Sequence, residues 1–105
     1  MEMIKVSVLY PKTDSSHFDI DYYCTKHMPM VKEKCGAALK GMAVDHGIAG
    51  GTPGSSPAYA AMGHLLFDSV AAFQSSFGPH AKTIMADIPN YTDVQPTVLI
   101  SEVKL

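Results

Sequence analysis

His27 is the residue of this chain best suited to chemistry, because an imidazole gives or takes a proton near neutral pH. It sits in the segment Tyr22-Tyr23-Cys24-Thr25-Lys26-His27-Met28-Pro29. Tyr23 precedes it by four residues, so on a helix the phenol and the imidazole share a face. Pro29 has no N–H for the carbonyl of Thr25, so the helix must kink, fray or restart there. Tyr23 can orient His27 or polarise a ligand carbonyl. Two plainer roles stay open beside these. His27 can be a packed histidine bonded to a backbone carbonyl, and Tyr23 an amphipathic residue at a helix–sheet boundary. Tyr22 falls toward the polar side of the helical wheel and stays clear of His27 unless Pro29 distorts the helix.

Other polar candidates lie on predicted strands. A hairpin loop centred near residue 52 or 53 pairs His46 close to Tyr59 and His64 close to Gly41. That leaves the two imidazoles about five strand positions, roughly 17 Å, apart, too far to share one ion within a chain. No HxH, HxxxH or Cys pair of ligand type occurs either, so no metal is expected. His64 lines a cavity if its face is the one toward the helices. His80 follows Gly78-Pro79 and reads as a solvent-facing residue. Cys24 and Cys35 fall in one predicted helix, roughly 16 Å apart along its axis. A disulfide is excluded at that distance, and both read as small buried apolar residues.

The elements that must position these groups follow from periodicity. Ile4 to Tyr10 reads as a strand with Ile4, Val6, Val8 and Tyr10 on one face. Ser16 followed by Asp19 resembles a capping box, opening a helix that runs to Cys35 and stops at Gly36. Ile20, Cys24, Met28, Val31 and Cys35 form its apolar stripe, with His27 at the edge, where a pocket between helix and sheet would open. Ala38 to Ile48 and Ala58 to Phe67 read as strands around a Gly-, Ser- and Pro-rich loop. The glycines of that loop lack the following Lys-Ser/Thr of a phosphate loop. Asp68 or Ser69 caps a helix carrying Val70, Phe73 and Phe77, which Gly78-Pro79 interrupts and His80 to Asp87 resumes. Ile88 to Gln95 is extended or turn-like, and Pro96 to Leu105 is the last strand.

The order strand, helix, strand, strand, helix, strand is the ferredoxin-like α+β arrangement. Two right-handed crossovers put both helices on one face of a four-stranded antiparallel sheet. The strands are apolar or small on both faces. A second copy is the economical cover for the open one, so a homodimer through the sheet faces is expected. The 105 residues, 47% of them apolar, suit a single domain spanning 1–105. A net charge of −2 without a basic stripe argues against nucleic acid. No apolar run approaches a membrane span, and Met1 to Lys5 lacks the pattern of a signal peptide, so a cytoplasmic protein is expected.

The segment Tyr23-x-x-x-His27-x-Pro29 resembles the helix signature of the EthD-like family, named for a protein linked to ethyl tert-butyl ether degradation. The stretch Asp87-Ile88-Pro89-Asn90-Tyr91-Thr92-Asp93-Val94-Gln95-Pro96 is similar to that family's segment before its last strand. The resemblance covers essentially the whole chain. It implies the dimeric α+β barrel fold, whose members include cofactor-independent monooxygenases, muconolactone isomerases and haem-binding relatives. Many relatives carry a bulkier aromatic at the position of Tyr23, whose hydroxyl adds a hydrogen bond or a chemical role. The resemblance places Asn90 and Tyr91 at the border of the ligand cavity, or else in a segment that docks the last strand against the dimer partner.

The family's oxidoreductase-like label and the absence of a flavin, nicotinamide or haem motif imply chemistry without a cofactor. The expected ligand is a small hydrophobic or aromatic metabolite, such as a phenol or quinone, in a pocket between helices and sheet. His27 would act as general acid or base, with Tyr23 in support and His64, Asn90 and Tyr91 as ligand-binding candidates. The alternative is a non-catalytic accessory or carrier protein that assists a separate oxygenase.

Overall fold

The alternating apolar residues of the first and third strands build the sheet to which everything else is fastened. The computed structural model describes residues 3–105. Met1 and Glu2, the start of the segment read above as lacking a signal peptide, lie outside the described residues. The elements are β1 (Ile4–Pro11), α1 (Ile20–Tyr22), a π-helical turn (Tyr23–His27), α2 (Met28–Cys35), β2 (Gly41–His46), β3 (Tyr59–Phe67), α3 (Val70–Phe77), α4 (Ala81–Ala86) and β4 (Thr97–Glu102). The four strands lie in the order β2-β3-β1-β4, and every pairing is antiparallel. This is the ferredoxin-like βαββαβ fold, with the helices over one face of the sheet.

One sheet face points Val6, Tyr10, Leu65 and Phe67 into the core, where α2 contributes Met28, Val31 and Cys35. Fully burying a side chain such as Phe67 contributes about 1.5–3 kcal/mol. On the other face, Ser7, His64 and Ala43 stand in register across three strands. Among the described residues, no helix covers that face.

Several boundaries differ from the sequence expectation, each for a local reason. Ser16 does not cap the first helix. Its hydroxyl closes a turn with Thr13, and Asp19 is the cap, accepting from the Tyr22 N–H at 3.0 Å. The second strand starts only at Gly41, because Gly36–Ala38 forms a 3-10 turn after Gly36 leaves α2 at a φ of 62°. The β2–β3 register pairs His46 with Ala61 and His64 with Ala43, a slip from the expected pairing. The histidines are therefore about 10 Å apart along the strands and on opposite faces. The loop between them holds Gly, Ser and Pro but no two-residue hairpin signal that would pin the register.

Pro29 produces the irregularity that its chemistry demands, and the form it takes decides which residues face the core. The chain widens into a π turn over Tyr23–His27, with the Met28 N–H bonded to the Tyr23 carbonyl. Pro29 then sits in the first turn of α2, where a missing N–H costs little. A π turn takes up one extra residue, which shifts the wheel by about 100°. Counted back from Val31, the shift swings Tyr23 onto the buried stripe and Cys24 off it. Tyr23 and His27 are accordingly buried. Cys24 is exposed and Cys35 buried, both free thiols, so the expectation of two buried cysteines holds for Cys35 alone.

Candidate functional site

The π turn delivers His27 to a buried polar chain. Its Nδ1 lies 2.9 Å from Asp87 Oδ2. A carboxylate only accepts, so the Nδ1 proton donates to Asp87 and Nε2 keeps its lone pair. The Tyr91 hydroxyl approaches Nε2 at 3.4 Å and lies 2.6 Å from the Tyr10 hydroxyl. With Nε2 accepting, Tyr91 donates to it and Tyr10 donates to Tyr91. On the outer side, Asp87 Oδ1 accepts from the Tyr22 hydroxyl at 2.7 Å and from Asn90 Nδ2 at 2.9 Å. The Tyr23 ring stacks on the imidazole at 5.4 Å and 14°.

The protonation states follow from burial and partners. Burial pushes the His27 pKa down, and the neighbouring Asp87 acts in the opposite direction without reversing it. The imidazole is thus neutral at pH 7. Burial by itself would raise Asp87, but the bonds from Asn90, Tyr22 and His27 carry its carboxyl below the usual range. Burial raises Tyr10, Tyr23 and Tyr91 well above the ordinary phenol value. The Asp87 carboxylate raises Tyr22 through its hydrogen bond. The site therefore contains one ionised carboxylate, one neutral base and protonated phenols.

Beside His27 lies a cavity of about 100 Å³ with an almost wholly apolar lining. α2 supplies Met28 and Val31, the sheet supplies Val8 and Leu65, and Phe77 and Ile88 close the far side. Gly63 forms part of its wall. A Cβ at Gly63 would collide with the Tyr23 hydroxyl, so the Tyr23 hydroxyl can come this close to β3 only over a glycine.

The segment carrying Asp87 and Tyr91 is pinned to the loop before α1. The Asp19 N–H bonds the Tyr91 carbonyl at 2.7 Å, and the Thr92 hydroxyl bonds the His17 carbonyl at 2.6 Å. A bridge joins Phe18 to Thr92. This segment is thereby fastened to the start of the first helix within its own chain.

The structure brings His27, Tyr23 and Tyr91 together. Asn90 is exposed on the outside and reaches the site only by steadying Asp87. His64 is a correction: Gly63 and Leu65 face the helices, so alternation turns His64 to the open face. There its Nδ1 is 2.9 Å from Ser7 Oγ, and its Nε2 is 3.3 Å from Asp45 Oδ2. Sequence reasoning missed Asp87, Tyr10 and the reach of Tyr22. Asp87 stood at the head of the second family-like segment, and Tyr22 beside Tyr23 was the other visible signal. Among the described residues, no group of three His, Cys, Asp or Glu side chains is placed to hold a metal ion.

An EthD domain model matches residues 11–95. The chain belongs to the EthD family. It is similar to an EthD-like protein from Ralstonia eutropha, with 44% identity and a TM-score of 0.95 over 100% of this chain and 95% of that one. It is also similar to an ethyl tert-butyl ether D family protein from Bacillus halodurans, with 20% identity and a TM-score of 0.67 over 97% and 99% of the chains. A dimeric ferredoxin-like protein of unknown function from Thermobifida fusca shares the fold, with 15% identity and a TM-score of 0.59 over 97% and 92%. No protein with a curated description matches the chain. Among the described residues, no helix is long and apolar enough to cross a membrane.

Proposed function

We propose that this EthD family protein binds a small hydrophobic or aromatic oxygen-bearing molecule between its helices and sheet, with His27 as general acid or base. The observation that carries the reading is a buried, neutral imidazole on an apolar cavity, its Nδ1–H held by Asp87 and its Nε2 lone pair met only by the long approach of the Tyr91 hydroxyl. The 3.4 Å approach of Tyr91 to Nε2 is longer than an ordinary hydrogen bond. A ligand hydroxyl or acidic C–H can therefore compete for Nε2. The abstracted proton would stay on Nε2, and the Asp87 carboxylate would stabilise the imidazolium. The same proton transfer serves an isomerisation or the first step of a cofactor-independent oxidation. Tyr23 and Tyr91 hold the ring and the lone pair in place.

A second reading, a carrier or accessory protein, is favoured by one observation. Among the described residues, every buried polar side-chain atom already has a partner without any ligand. Thermal unfolding against phenols, quinones, lactones and ethers, paired with turnover assays, separates the two. A ligand at 100 times its dissociation constant stabilises the folded state by about 2.7 kcal/mol. An enzyme loses turnover in His27→Ala while keeping much of its binding. A carrier shows binding and no turnover in wild type, and no shift with any compound sinks both readings.

The working form in this proposal is a cytoplasmic homodimer through the open sheet faces. The uncovered face presents Leu99, 54% exposed, beside half-buried Leu9, Met62 and Leu66. Two free thiols suit a reducing compartment. Leu99→Asp should convert the dimer to monomer in sedimentation velocity. An unchanged dimer would place the interface elsewhere.

A further inference from the structure

The cavity beside His27 is small for a ligand site. It holds about 100 Å³, whereas ligand pockets usually span roughly 300–1,000 Å³. A second cleft of about 340 Å³ lies outside it, and the two share Met85, Ile88 and Pro96 as a common wall. The outer cleft continues along Thr92, Asp93, Val94 and Gln95, with the exposed Asp93 and Gln95 giving it a polar rim.

The residue at the junction is suited to yielding. Met85 is 48% exposed, unbranched and adaptable, the side chain that most readily re-packs around a guest. The walls on either side of it are firm. Ile88 begins a 3-10 turn that also carries Pro89, and the segment after it is bonded to the loop before α1.

We infer that the two spaces form one site, in which an apolar head occupies the inner cavity at His27 while a polar-ended tail passes Met85 into the outer cleft. The ligand class is then an elongated amphiphile, such as an aromatic or enolic head bearing a chain that ends in a hydroxyl or amide, in place of a compact hydrocarbon or simple phenol. The inner cavity sets the size of the reacting head, and the outer cleft sets affinity. This inference rests on the ligand reading of the His27 cavity.

The test compares phenol with 4-(6-hydroxyhexyloxy)phenol by calorimetry, on wild type and on Gln95→Trp, which adds bulk at the exposed rim of the outer cleft. The tailed probe should bind at least about tenfold more tightly than phenol, since each buried methylene adds to affinity. Gln95→Trp should take back most of that gain and leave phenol unchanged. In amide spectra the tailed probe should perturb residues 92–95 and phenol should not. Equal affinity of the two probes for wild type, with phenol clearly bound, overturns the two-compartment site and leaves the inner cavity standing. An affinity gain that survives Gln95→Trp without perturbing residues 92–95 also overturns it. Binding of neither probe defeats the ligand reading itself and this extension with it.

Discussion

Two histidine–carboxylate networks lie on opposite faces of the same sheet, and they are built from similar parts. On the helix side, His27 meets Asp87 and Tyr91. On the open side, His64 meets Asp45 and Ser7. The side chains of His27 and Asp87 are 5% and 17% exposed, whereas those of His64 and Asp45 are 20% and 60% exposed. Water around Asp45 screens its charge and competes for its oxygens. Asp87 instead spends its oxygens on three protein donors. The Ser7–His64–Asp45 trio has the composition of a hydrolytic triad, but Ser7 is itself buried and Asp45 lies in open solvent. Residue types therefore say less than burial and partner count. The helix-side network sets a buried base on an apolar cavity.

The largest expected contrast is in stability. His27→Ala should cost about 2–4 kcal/mol, because it opens a cavity and strips Asp87 and Tyr91 of a partner. His64→Ala should cost less, about 1 kcal/mol, since its partner Asp45 is 60% exposed and the main loss is the Ser7 hydrogen bond. Both are read by urea denaturation at a concentration where the chain is monomeric. Equal costs would erase the distinction drawn between the two faces.

A smaller effect tests the close packing of the Tyr23 hydroxyl on Gly63. Gly63→Ala should cost about 1–3 kcal/mol through overpacking. Tyr23→Phe in the same chain should recover much of that loss by removing the hydroxyl that the new methyl meets. Gly41→Ala, whose Cβ meets only the mobile end of Leu66 at 3.1 Å, should be nearly silent. Additive costs for Gly63→Ala and Tyr23→Phe would mean that the hydroxyl does not lie over Gly63.

The smallest effect is the pH dependence. His27 has a folded pKa below the ordinary 6.5. Between the two values the unfolded chain binds a proton that the folded one refuses. The contribution of neutral His27 is therefore fully present above about pH 6.5 and is lost as pH falls through the folded value. His27→Gln should flatten the slope of stability against pH between 5 and 7. Asp87, with its depressed pKa, contributes above the ordinary carboxylate range and loses that contribution on acidification through its folded value. A steeper slope in His27→Gln would contradict a depressed His27.

Much of this was visible in the residues before folding. The period-two alternation of Ile4–Tyr10 and Tyr59–Phe67 marks two strands, and their apolar faces are the ones that meet the helices. Pro29 marks an irregularity beside His27. What the residues do not disclose is the form of that irregularity. A kink would have left Cys24 on the buried stripe, while a π turn replaces it with Tyr23. The slip in the β2 register has a similar origin, since a polar glycine-rich loop sets no length for its hairpin. Asp87 was hidden by distance along the chain, 60 residues from the histidine it holds. Gly63 reads as an ordinary small strand residue until the Tyr23 ring is seen above it.

The chemistry assigned to the site depends on a neutral His27 with its proton on Nδ1 and its lone pair on Nε2. The most direct test is two-bond ¹H–¹⁵N correlation of the histidine ring on labelled protein at pH 7, before and after addition of phenol. The free protein should show a protonated Nδ1 and an unprotonated Nε2, with the Nε2 resonance shifting on binding while Nδ1 holds its bond to Asp87. An imidazolium at pH 7, or a proton on Nε2 in the free protein, would contradict it.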